Sequence, residues 1–156
     1  MYNVSYKHSE AIIRIANFLL PIINHNTAII CIGTDKCIVD SLGPIVGTLL
    51  KEGNAAIDVY GTLNEPIHAL NIARYVNILK GKNYDKIIAI DACLSNRLAI
   101  GSIELKEDSI KPGKGLGKIL PEIGDYSIVG IVETSGKEFH ELAQDTRLSL
   151  VYDMSK

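Results

Sequence analysis

Thr27-Ala28-Ile29-Ile30-Cys31-Ile32-Gly33 is the stretch whose reading decides the fold of this chain. Ala28 to Ile32 are all apolar, so a strand built from them has no polar face and must be covered on both sides. Glycine stops the run and opens a loop, after which a helical pattern begins near Ser41. Lys86-Ile87-Ile88-Ala89-Ile90-Asp91 repeats the arrangement, an apolar strand running into an aspartate. Strands buried on both faces belong to parallel sheets, because each crossover lays its helix on a face of the sheet.

Working outward, the flanking segments supply those helices. Over residues 9–24, Ile12, Ile15 with Ala16, Leu19, and Ile22 with Ile23 recur at helical spacing, with Ser9 placed to cap. A second helix is predicted from Ser41 to Glu52, closed by Gly53, and a short strand over Ala56–Tyr60. Pro66 opens a third helix predicted to run through Leu79. Ile100–Leu105 alternates as an edge or hairpin strand does, Ser127–Val132 reads as another buried strand, and a helix is predicted near 136–145. Arg147–Met154 reads as a last strand. The predicted fold is a three-layer α/β/α sandwich, its sheet mostly parallel and mixed at one edge, in one domain spanning 1–156.

Composition narrows the function. The chain has 156 residues, 47% of them hydrophobic, and 16 basic against 18 acidic side chains give a net charge of −2. No global field favours nucleic acid or an anionic membrane, and neither is expected as a partner. Cys31, Cys37 and Cys93 include no C-x-x-C pair, which argues for a reducing compartment and against a disulfide framework or a zinc site. No signal-peptide pattern opens the chain, and the apolar stretch from Ala11 to Ile23 is broken by Arg14 and Asn17; a cytoplasmic protein is expected.

Ligand crevices of open α/β sheets lie beyond the carboxyl ends of the strands, which nominates residues 33–41 and 91–99. Both carry carboxylates. Asp40 stands just before a predicted helix, where the helix dipole favours an anion. Asp91 ends an apolar strand. Facing each other across a crevice, the two would share a proton, one activating water and the other protonating a carbonyl or leaving amine. Spacing alone leaves open the plainer reading of a helix cap and a strand-end turn residue.

Three motifs bear on that choice: Gly33-Thr34 with Asp40-Ser41-Leu42-Gly43-Pro44; Ile90-Asp91-Ala92-Cys93-Leu94-Ser95-Asn96-Arg97; and Ile110-Lys111-Pro112-Gly113-Lys114-Gly115-Leu116-Gly117. In order and interval they resemble the germination (spore) protease of endospore-forming bacteria. They are still more similar to its shorter sporulation relatives, the YyaC-type proteins, where the likeness extends through Tyr60–Ala69. The resemblance implies an atypical aspartic endopeptidase acting on small acid-soluble spore proteins, with a three-layer fold like that of the hydrogenase maturation endopeptidases. It maps the two catalytic aspartates onto Asp40 and Asp91, and implies residence in the forespore or mother cell. Gly33, Thr34, Asp35, Gly43, Glu65 and Ser95, with Gly113, Lys114 and Gly115 of the glycine-rich loop, are expected to border the substrate. The chain departs from the protease in carrying Thr34 where it has asparagine, followed by an extra Asp35 and Lys36. A chain of this length is expected to lack the protease's removable pro-segment.

Competing constellations are weaker. Pro112 to Lys118 fails as a phosphate loop, since Pro112 stands where glycine and Ile119 where Ser or Thr is required. Lys111, Lys114 and Lys118 remain as a basic rim suited to an acidic peptide. His68, in the first turn of the predicted third helix, is a metal candidate with Asp40 and Asp91, a divalent ion being the one cofactor entertained. Cys93 has no histidine beside it in sequence and reads as a small buried packing residue. His140 and Glu141 read as a solvated face. The expected function is therefore a sporulation-associated peptidase-like hydrolase. The alternatives are a non-enzymatic peptide- or metabolite-binding module of spore assembly, able to form a homo-oligomer, and a metal-dependent maturation endopeptidase.

Overall fold

A computed structural model describes residues 2–112 and 120–156. Its six-stranded sheet has the order β1-β5-β6-β4-β2-β3. The strands are β1 (Tyr2–Ser5), β2 (Thr27–Cys31), β3 (Asp58–Tyr60), β4 (Lys86–Leu94), β5 (Ser102–Lys106) and β6 (Tyr126–Glu133). β3, β2, β4 and β6 run parallel, whereas β5 lies antiparallel to β6 and β1 antiparallel to β5. The sheet is thus mixed at one edge, as predicted. The helices are α1 (Ala11–Leu19), α2 (Leu42–Glu52), α3 (Ile72–Lys82), α4 (Phe139–Asp145) and α5 (Leu148–Ser155).

Alternation along the strands divides the core into two layers. Ala28, Ile30 and Ile32 of the β2 segment join Ala89, Val129 and Ile131 under Ile72, Val76 and Leu79 of α3. Ile29 and Cys31, with Ile88 and Ile90, face the other way toward the layer of α1 and α2. α5 joins that second layer through Val151 and Met154, packed with Leu42, Ile45 and Leu105. Helices on both faces of a mixed sheet make the predicted three-layer sandwich.

Several segments differ from the sequence reading. Arg147–Met154 is not a strand: from Leu148 on it falls in α5, whose buried residues Val151, Met154 and Ser155 have a helical spacing, and β6 is already flanked by β4 and β5. α3 starts at Ile72 rather than Pro66, because Asn71 draws residues 66–71 into a loop, accepting the His68 amide and donating to the Pro66 carbonyl. α1 is shorter than 9–24 and is preceded by Glu10, with no side-chain cap from Ser9. Ile12, placed inward by periodicity, is 79% exposed. β1 was not predicted at all; in it only Val4 is buried.

Candidate functional site

The site forms where the end of β2 meets β4. Gly33 has φ +137°, and a Cβ there would run into the carbonyl oxygen of Asp40. This close approach lets the loop double back: the Thr34 N–H donates to the Asp40 carbonyl at 2.8 Å, and the Gly33 N–H donates to Ile67 at 2.7 Å. Ile38–Asp40 is one 3₁₀ turn, packed against β4. Gly43 permits equally close contact, because a Cβ would meet the Ile32 backbone, so the first turn of α2 sits directly on the end of β2. Asp40 is not the helix cap predicted for it. Ser41 takes that position, and its hydroxyl donates instead to the Ile38 carbonyl at 2.8 Å.

Asp91 lies inside its strand rather than at its end, since β4 continues to Leu94. It shares a face with Ala89, toward the α3 layer, and one carboxyl oxygen accepts the Ala92 N–H at 2.8 Å. Burial raises the Asp91 pKa well above the usual carboxylate range, and the nearby charge of Asp40 raises it further, against the Ala92 hydrogen bond. Asp40 is itself pushed up to about 6 by burial, partly offset by the Thr34 amide. Asp91 thus feels the charge of Asp40. This pair differs in kind from a surface acidic cluster, where water would screen the interaction. As pH rises Asp40 therefore ionises before Asp91.

The remaining candidates fall around the pair or away from it. Thr34 serves through its backbone, while Asp35 and Glu65 are exposed. The Ser95 hydroxyl accepts the N–H groups of Arg97 and Leu98, which shapes the loop after β4. Gly113, Lys114 and Gly115, with Lys118, lie outside the described residues, and Lys111 is paired with Glu122 at 2.8 Å rather than free on a rim. His68 stands in the loop before α3, its Nδ1 accepting the Leu70 N–H. Among the described residues no three His, Cys, Asp or Glu side chains converge as a metal set, so the arrangement does not fit a His68-centred ion. Cys93 is exposed, not buried, yet desolvation and then the charge of Asp91 push its thiol up, so it stays protonated and is a poor nucleophile. His140 is exposed, as predicted, but Glu141 does more than face solvent, closing a capping box with Glu138 at the start of α4.

Sequence reasoning missed Glu104 and Lys106. Val129 pairs with Asp91 on one side and Glu104 on the other, which sets all three on one face of the sheet. Lys106 pairs with Glu104 at 2.5 Å, and both charges reach Cys93. The alternation of Ser102–Lys106 shows the two share a face. The neighbourhood of β5 and β6, which brings them beside the aspartates, is not written locally.

A three-layer mixed α/β sandwich in which a desolvated carboxyl of β4 feels the charge of another from the β2–α2 loop is the class that fold and site define. The chain belongs to the family described as Protein of unknown function (DUF1256), whose model matches residues 3–156. It is similar to Uncharacterized protein YyaC of Bacillus subtilis (strain 168), 44% identical over 129 residues, which bears out the likeness to YyaC-type proteins. That match covers 81% of this chain and 63% of the relative's length. Among solved structures, the [NiFe] hydrogenase maturation protease HycI from Thermococcus kodakarensis KOD1 has a similar fold, with a TM-score of 0.50. At 17% identity, over 83% of this chain and 86% of that one, the likeness is one of fold. None of the helices in the described residues is long and apolar enough to cross a membrane.

Proposed function

We propose that the protein is a peptidase-type hydrolase in which Asp40 and Asp91 act as an acid–base pair. One observation carries the reading: a carboxyl from the loop before α2 and a carboxyl within β4 are both raised by desolvation, and the charge of Asp40 raises Asp91 further. Ionised Asp40 takes a proton from water as its oxygen bonds to the scissile carbonyl carbon. Protonated Asp91 donates to the carbonyl oxygen. Collapse of the tetrahedral adduct breaks the C–N bond, the amine leaves with a proton, and the pair returns to one shared proton. The motifs shared with the germination protease support the finer reading, a sporulation role in the forespore or mother cell with small acid-soluble spore proteins as substrate class. The fold of a maturation protease is compatible with the coarser one.

Asp91→Asn tests it, since the amide preserves shape but carries no transferable proton. Cleavage of an unstructured peptide or a small acid-soluble spore protein should fall by at least ~10²-fold. Wild-type protein that binds such a peptide without cutting it would replace the enzyme with a binding module.

A further inference from the structure

The free edge of β3 forms a second feature, separate from the aspartates. β3 pairs with β2 on one side and is the last strand of the sheet on the other. Along that outer edge runs a cleft of about 490 Å³, floored by Ile57–Tyr60 and walled by Lys51 of α2 and Lys82 of α3. Lys82 is held in place, its Nζ lying 5.5 Å from the Tyr60 ring centre and 3.4 Å from Asp58. Tyr84 also donates to Asp58, and the Tyr60 and Tyr84 hydroxyls lie 2.7 Å apart, so the one acid in the cleft is already occupied. Lys51 has no ion-pair partner among the described residues.

We infer that this edge takes up an extended peptide segment bearing acidic side chains, added as a further strand beside β3. Unpaired strand edges recruit peptides through main-chain hydrogen bonds, while side-chain pockets set the preference. Here the floor offers the backbone, and Lys51, the cleft lysine without an ion-pair partner among the described residues, sets the sign of the side chains accepted. β3 is parallel to β2 and adjacent to it, and the backbone leaving β2 leads to Gly33 and Asp40. A strand on β3 therefore lies one strand from the aspartates' crevice. Its use in holding a substrate's flanking segment rests on the peptidase reading; the binding does not.

The experiment uses the Asp91→Asn protein, so that nothing is cut. Its probes are a peptide of about eight residues, the length of an ordinary strand, alternating Val and Glu, and its Val and Lys counterpart. Amide hydrogen exchange at Asp58–Tyr60 should slow on adding the Glu peptide, which should bind about tenfold tighter than the Lys peptide. Lys51→Glu should reverse that preference while leaving the fold intact, as Lys51 is exposed. Equal affinities, or unchanged exchange at β3 with the Glu peptide bound, would overturn the inference. So would protection at β3 that appears without peptide as protein concentration rises, which would give the edge to a second copy of the chain. Peptide binding with no turnover by the wild type would sink the peptidase reading alone.

Discussion

Asp40, half-buried in its turn, is pushed up to about 6 by desolvation, and that places the pair's working range. Below about 6 it gains a proton, and the water-activating base is lost. Burial, and then the Asp40 charge, raise Asp91 in the same direction, which favours its acid form. Turnover is therefore expected to fall as pH drops through about 6 and to hold on the neutral side, the reverse of an acid-optimum aspartic protease. A kcat/KM profile rising toward low pH would contradict this assignment. Gly33 is the other residue whose replacement has a definite outcome. Its φ of +137° disfavours any side chain, and a Cβ would strike the Asp40 backbone. Gly33→Ala should cost roughly 2–3 kcal/mol in denaturant unfolding, the scale of one strained backbone position plus local repacking. Activity should drop alongside, since the same displacement moves Asp40. Both aspartates and both glycines were legible in sequence, because a glycine after an apolar run and a carboxylate before a helix are local patterns. Whether the carboxyls met was not, since that depends on the pairing of β2 with β4.

At the scale of elements, legibility tracked how one-sided the pattern is. β2 from Ala28 to Cys31 and β4 from Ile87 to Ile90 are apolar on both faces and had one reading, whereas Arg147–Met154 has apolar residues compatible with either period. Tertiary context decides it, because the face beside β6 calls for a helix to cover Leu42 and Leu105. The resulting α5 makes a prediction that a strand would not. Val151 is fully buried and Met154 nearly so, whereas Tyr152 is 45% exposed. Val151→Ala and Met154→Ala should each destabilise by about 2 kcal/mol or more, and Tyr152→Ala by less than about 0.5 kcal/mol. Equal costs at 151 and 153, which share a strand face, with tolerance at 154, would refute the helix. Glu104 and Lys106 show the opposite limit. Their alternation was plain, but their place beside Asp91 follows from β5 folding back antiparallel on β6, and that reversal is set by long-range packing.

The whole molecule combines carboxyls perturbed in opposite directions, and its stability should record both. Asp40 and Asp91 have folded pKa values above their unfolded ones, so the folded state binds more protons than the unfolded chain from about pH 4 upward. Their burial then weakens the fold progressively as pH rises through about 6, and this penalty is absent below about 4. Glu133 works the other way. It is buried, accepts the Thr134 amide at 2.8 Å and pairs with Lys137 at 3.3 Å, and its pKa is lowered chiefly by that amide. It stabilises the fold above its unfolded pKa, and the contribution disappears as pH falls through the lowered value. Stability should accordingly decline as pH rises from about 4 through about 6, while on the acid side the Glu133 contribution is lost. Asp91→Asn removes the group whose charge is most costly to bury, so its melting temperature should exceed the wild type's by several degrees at pH 8 and match it near pH 4. The acid side of both curves should coincide, because Glu133 is untouched. A variant less stable than wild type at pH 8 would mean that Asp91 is ionised in the fold and held by a charge-assisted hydrogen bond from the Ala92 N–H. The carboxyl pair would then be an element of structure, with no proton held ready for chemistry.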